Sequence, residues 1–255
     1  PPLGRERPGR GAGATATVGR MTSTSTPSLS RRGRAAYAVV AVLAWAGVAA
    51  TVSITTAGGY PPPAFYEPGL FAGAPEGWAG APQRLVECLS YFTELSNIVV
   101  AVIATRLARG RGPVGRWTRA IHLCATMMIT VTAIVYAALI APSEALRGIA
   151  VITNPLQHVV VPAAMVAAAF VFGPRGGITW GTVARALAIP VAWVAYTMAR
   201  GALVHQYPYA FLNVTRIGYG QALAVIGAIL AGAMAFLGLF AAVDWVLRRA
   251  ARARA

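Results

Sequence analysis

The sequence predicts an all-α fold, a polytopic bundle of six transmembrane helices with both termini in the cytoplasm. Three observations carry that expectation. Of the 255 residues, 57% are apolar and 11% charged, whereas soluble domains carry about 25% charged residues. Several apolar runs approach the roughly 20 residues that cross a bilayer. The net charge of +15 comes from arginines, with no lysine, gathered just outside those runs, as the positive-inside rule expects.

Residues 1–35, rich in Arg, Gly, Pro, Ser and Thr without apolar periodicity, read as disordered. The first twenty of them, ahead of Met21, read as an over-extended gene start. The membrane domain is expected over 36–247, with spans at about 36–57, 87–108, 120–141, 155–173, 183–204 and 217–246, followed by a basic cytoplasmic tail at 248–255. This topology leaves only Arg84, Arg147, Arg200 and Arg216 outward and the other eighteen arginines on the cytoplasmic side.

One connection is long. Residues 58–86 hold Pro61, Pro62, Pro63, Pro68 and Pro82 with Tyr60, Phe65, Tyr66, Phe71 and Trp78. So many prolines are expected to rule out a stable helix or strand, and the aromatics suit a lipid–water boundary. The segment is expected either to lie across the outer mouth of the bundle or to be a passive linker. Cys88 and Cys124 fall near opposite faces and read as buried thiols. In the last helix Asp244 and Arg248 are one turn apart and are expected to pair, while Gly227, Ala228, Ala231 and Gly232 read as helix-packing surface.

Composition also excludes. A nucleic-acid site needs a basic groove with aromatics on one face, and the arginines form no such pattern. His122 is expected near the cytoplasmic end of the third span, away from His158 and His205 near the outer surface, and no His-Glu-x-x-His or paired-Cys spacing occurs, so no metal and no cofactor is expected.

The most informative stretch is Glu87 to Ile98, Glu-Cys-Leu-Ser-Tyr-Phe-Thr-Glu-Leu-Ser-Asn-Ile, which opens the second span. On a continuous helix Glu87, Ser90, Thr93, Glu94 and Asn97 fall within an arc of about 120°. A charge at bilayer depth costs roughly 2.5–3.5 kcal/mol or more, so this stripe should face a protein interior or a wet cavity. The fourth span opens Thr153-Asn154-Pro155-Leu156-Gln157-His158, with Asn154 as the expected cap and Pro155 in the first turn. His158 then sits one turn in, where the positive helix end favours neutral imidazole. Thr93 and His158 are expected at similar, shallow depth on the outer side, the minimal hydroxyl–base pair of a nucleophilic site. Asn97 is a candidate oxyanion donor. Tyr196 and Arg200, one turn apart on the fifth span, complete the polar set; Arg200 is expected to neutralise Glu94 or Glu87, or to hold an anionic head group.

These residues leave three readings open. One is an intramembrane hydrolase built on Thr93 and His158. Another is a small-solute or proton transporter using Glu87 and Glu94. The last is a non-catalytic membrane scaffold whose polar groups join helix to helix.

Thr93 in Tyr-Phe-Thr-x-x-Ser-Asn, His158 in Thr-Asn-x-x-x-His, and Tyr207-Pro208-Tyr209-x-Phe211-Leu212 before the sixth span together resemble the bacterial Pr-six-Pr family of six-span membrane proteins. That family is similar to the androgen-induced and androgen-dependent transmembrane hydrolases of animals. The resemblance covers about residues 36–247. It implies a multi-pass protein of the bacterial plasma membrane, surrounded by lipid, that cleaves fatty acyl esters with Thr93 as nucleophile and His158 as base. Glu94, Asn97, Tyr196 and Arg200 are the residues then expected around the substrate.

Overall fold

A computed structural model describes residues 29–61, 67–110 and 114–253. Among these the chain is helical: α1 (Arg31–Ala57), α2 (Ala81–Ser90), α3 (Phe92–Arg109), α4 (Arg116–Val135), α5 (Ala150–Pro155), α6 (Val161–Phe172), α7 (Trp180–Val204) and α8 (Val214–Arg252). Five helical stretches are long and apolar enough to cross a bilayer, and α2 with α3, bent by 72°, would make a sixth. The expected disorder of residues 1–28, the aromatic stretch with Pro62, Pro63, Phe65 and Tyr66, and Arg111 and Arg254 lie outside the described residues.

Local chemistry sets several helix ends. Ser30 caps α1 by accepting the Gly33 N–H at 3.1 Å, and Gly58 ends it at φ 75°, where an L side chain would be strained. Thr179 caps α7 by accepting the Thr182 N–H at 3.3 Å. His205 ends α7 at φ 55°, the one non-glycine with positive φ among the described residues.

α4 is the axis of the bundle. One apolar cluster joins Tyr37, Val40 and Ala44 of α1 to Val100, Ile103 and Ala104 of α3, Ile129 of α4, and Val161 and Met165 of α6. A second joins Met127, Met128 and Val131 of α4 to Ala186 of α7 and Leu237 and Phe240 of α8. The outer faces stay apolar and exposed, as Val42, Val171, Leu203 and Leu223 illustrate; that is the pattern of a bundle solvated by lipid.

Several expectations change. The second span is not continuous: Tyr91, at ψ 137°, separates α2 from α3, so Glu87 and Ser90 no longer share a helical face with Thr93, Glu94 and Asn97. The fourth span starts at Ala150, four residues before Asn154, and Pro155 lies inside it. A wider turn over Leu156–Val160 follows, in which the Val161 N–H bonds back five residues to the Leu156 carbonyl. Such π turns are single-turn irregularities inside an otherwise α-helical run. α1 already begins at Arg31, and α8 runs on through Arg248 and Arg249 to Arg252; the Asp244–Arg248 pair forms at 3.1 Å. Gly227, Ala228 and Ala231 are not buried packing surface but exposed, and Ala222, Ile226, Ala233 and Leu237 supply the packed face of α8.

The long connection is tied to the α7–α8 loop. The Tyr207 N–H donates to the Gly69 carbonyl at 2.8 Å, the Phe71 N–H to the Tyr207 carbonyl at 3.1 Å, and Asn213 Nδ2 to the Pro68 carbonyl at 2.8 Å. Tyr207, 1% exposed, lies flat on Gly201, where a Cβ would stand 2.0 Å from its Cε1. Gly201→Ala is therefore expected to push this ring and both loops outward at a cost of about 1–3 kcal/mol, read as a lower thermal midpoint in detergent. An unchanged midpoint would mean that the two loops are not held here.

Candidate active site at the break in the second span

The break is stabilised from α7. Trp193 Nε1–H donates to the Ser90 carbonyl at 2.9 Å, and Ser90 Oγ donates to the Val86 carbonyl at 2.6 Å. That leaves Tyr196 to donate to Ser90 Oγ, at 2.9 Å. The last carbonyls of α2 thus find partners, and α3 starts afresh as a half-helix. Tyr91 supplies no side-chain cap, so the first turn of α3 and the positive end of its dipole are presented at the junction.

Thr93 is the second residue of α3. Its Oγ1 lies 3.2 Å from His158 Nε2, and His158 Nδ1 lies 3.1 Å from the Asn154 carbonyl. A carbonyl only accepts, so in the neutral ring the proton sits on Nδ1 and Nε2 is free to accept the Thr93 O–H. The dipole position expected for His158 does not set this form; Asn154 O does. Asn154 is no cap: its Nδ2 donates to Glu144 Oε2 at 3.0 Å. The imidazole is further held by Tyr136, stacked at 4.0 Å with 26° between planes, in a second widened turn at the end of α4 (Tyr136–Ile140).

Tyr209 closes the other side of Thr93. The Thr93 N–H donates to the Tyr209 hydroxyl oxygen at 3.4 Å, and the two side-chain oxygens are also 3.4 Å apart. The Tyr209 ring stacks on Phe211 at 5.0 Å and meets Tyr91 edge-on at 5.5 Å. Phe71 of the long connection packs edge-on against Tyr91 at 5.5 Å. Phe71 of the long connection and Tyr209 of the α7–α8 loop therefore pack over the junction at Tyr91.

Below Thr93 opens an apolar cavity of ≈ 730 Å³, its mouth included, between α3, α4, α7 and α8. Thr93, Tyr136, Trp193 and Tyr209 stand on its wall, and Met127, Leu187, Ile226 and Leu230 are among the apolar residues lining it.

The remaining candidates are placed differently. Glu94, 2% exposed, accepts from Gln157 Nε2 at 2.7 Å and does not line the cavity. Asn97 is fully buried; its Nδ2 donates to the Thr93 carbonyl at 2.9 Å and the Gln157 carbonyl at 3.4 Å, so both amide hydrogens are spent and it offers nothing to an oxyanion. These two bonds and the Glu94–Gln157 contact clamp α3 to the turn that carries His158. Tyr196 holds the break rather than a substrate. Arg200 meets neither Glu94 nor Glu87: its guanidinium lies over the Phe71 ring at 4.5 Å, and Glu87 is bound by Gln83 at 2.8 Å. Of the other histidines, His122 is buried against Tyr37 and His205 is exposed.

Sequence reasoning passed over Tyr209, Tyr136, Trp193 and Gln157. Tyr209 stood in the polar-aromatic loop already noted, and Gln157 adjoins His158; nothing local marked Tyr136 or Trp193. Comparison of the chain with protein families, with characterised proteins and with solved structures finds no match.

Proposed function

We propose that this chain is a six-span protein of the cell membrane, with both termini cytoplasmic, that hydrolyses fatty acyl esters of lipids with Thr93 as nucleophile and His158 as general base. The resemblance to the Pr-six-Pr family points the same way. The observation that carries the reading is the Thr93 Oγ1–His158 Nε2 approach of 3.2 Å, with Nδ1 anchored on a carbonyl, at the wall of an apolar cavity. A hydroxyl alone is a poor nucleophile, and a base correctly presented beside it is what activation requires.

The steps follow from this arrangement. The acyl chain enters the cavity and brings the ester carbonyl beside Thr93. His158 Nε2 takes the Thr93 proton as Oγ1 bonds to the carbonyl carbon. Negative charge grows on the carbonyl oxygen, where the Tyr209 O–H is the donor at hand and the positive end of the α3 dipole adds to the stabilisation. The intermediate collapses by breaking the bond to the alcohol oxygen, which receives the proton from His158. A water molecule, deprotonated by the same imidazole, then attacks acyl-Thr93, releasing the fatty acid and restoring the hydroxyl.

The direct test is covalent. A fluorophosphonate probe incubated with the purified full chain is expected to add once, with loss of fluoride, on the peptide containing Thr93. No adduct under any condition, or the same adduct in Thr93→Ala, would remove the basis of this function.

A further inference from the structure

A second recess lies at the arginine-rich end of the bundle. His122, on its wall, is about 21 Å along α4 from Tyr136, so this recess is separate from the Thr93 site. It has a volume of ≈ 540 Å³, mouth included, with Arg119, His122, Arg175 and Asp244 among its lining residues and Phe170 and Phe240 among its apolar walls.

Two guanidinium groups there are anchored but not neutralised. Arg119 donates through Nε to the Val114 carbonyl at 3.0 Å and through Nη1 to the carbonyls of Arg175 and Gly176. Arg175 donates through Nη2 to the Phe170 carbonyl. These bonds leave Nη2 of Arg119 and the other nitrogens of Arg175 without an acceptor among the described residues. Asp244, the carboxylate lining the recess, is already engaged: both its oxygens accept the Gly176 N–H at 3.2 Å, and Arg248 Nε is 3.1 Å away.

His122 adds a neutral donor. Its Nε2 is 2.7 Å from the hydroxyl of Tyr37, which is fully buried. Nε2 is the partner that hydroxyl has among the described residues, so the Tyr37 O–H donates to it and the ring proton sits on Nδ1. No hydrogen bond within the described residues uses Nδ1.

We propose that this recess binds a phosphate group, either the headgroup of an anionic lipid or free phosphate. Two guanidinium edges and an imidazole N–H supply several donors and two positive charges to one place, the chemistry that a tetrahedral, multiply charged anion requires. The apolar walls suit the glycerol and first methylenes of a lipid.

The test uses the full chain in a neutral detergent, with binding of dioleoyl phosphatidic acid followed by native mass spectrometry and dioleoylglycerol as the control lacking phosphate. Phosphatidic acid is expected to bind at least about tenfold more tightly than dioleoylglycerol, a difference of about 1.4 kcal/mol. Arg175→Gln and, separately, His122→Phe are expected to weaken it, the former by about tenfold or more. Arg32→Gln, an exposed arginine at the same end, is expected to change it by less than about twofold. Displacement of the lipid by inorganic phosphate would identify free phosphate as sufficient, and its failure would identify the lipid headgroup; both agree with the proposal. Equal binding of dioleoylglycerol, or equal losses in Arg32→Gln and Arg175→Gln, would overturn it.

Discussion

Thr93→Ala is expected to lower ester hydrolysis by on the order of 10⁴-fold or more, and His158→Gln to do nearly the same. In the proposed mechanism the two side chains act as one device: without the hydroxyl the imidazole has nothing to activate, and without the imidazole the threonine proton has no acceptor. The double variant should therefore be little worse than either single one, because groups acting as a unit are strongly non-additive. Folding offers a control. Thr93 Oγ1 makes hydrogen bonds at 3.2 and 3.4 Å in a half-buried setting, so its loss should cost about 1 kcal/mol and barely move the thermal midpoint. Measured turnover of a long-chain acyl ester by a folded Thr93→Ala protein, at the parental rate, would end the hydrolase reading. Losses that multiply in the double variant would show that the two residues work apart.

Tyr209→Phe is expected to lower kcat by about 10²–10³ while leaving KM nearly unchanged. Phenylalanine keeps the ring that packs on Phe211, Tyr91 and Trp193 and deletes only the O–H. With the Thr93 O–H given to His158, the 3.4 Å contact is the Tyr209 O–H donating to Thr93 Oγ1, and in the proposed mechanism that proton turns to the oxyanion as Oγ1 bonds to carbon. Burial raises the pKa of this phenol above its ordinary value, outweighing the opposing hydrogen bonds from Thr93. It therefore keeps its proton as pH rises to the usual tyrosine range, and no loss of rate on that alkaline limb should trace to Tyr209. If Tyr209 merely packs, kcat will survive the substitution and any change will appear in KM or stability instead.

Much of this arrangement was legible in the chain. Apolar runs of bilayer length and flanking arginines are local properties, and the helices follow them to within a few residues apart from α1, α2, α5 and the long α8. α2 starts at Ala81, inside the connection expected to hold no helix, and carries Pro82 in its first turn, where a proline is tolerated. Thr93 and His158 stood out because polar groups inside apolar runs are costly and must face something other than lipid. The break at Tyr91 was not legible. A hydroxyl at Ser90 and an acid at Glu94 are the ordinary marks of a helix start, yet the surrounding apolar run argued for continuity. Continuity lost because Trp193 and Tyr196, about a hundred residues further along, satisfy the end of α2 and make the bend affordable. Asn154-Pro155 failed as a helix start because the helix begins four residues earlier, at Ala150, with Pro155 inside it, and the Asn154 carbonyl lies within reach of His158 Nδ1.

The amino-acid order alone determined that this is a bundle of apolar helices, and it marked a hydroxyl and an imidazole as the groups to watch, since hydrophobic burial and positional charge are written residue by residue. Only tertiary structure decided that these two meet, that the imidazole presents Nε2, that Tyr209 rather than Asn97 stands beside the Thr93 hydroxyl, and that Glu94 serves Gln157 instead of Arg200. Such choices depend on which distant donor reaches which acceptor once the helices have packed. No local pattern encodes that.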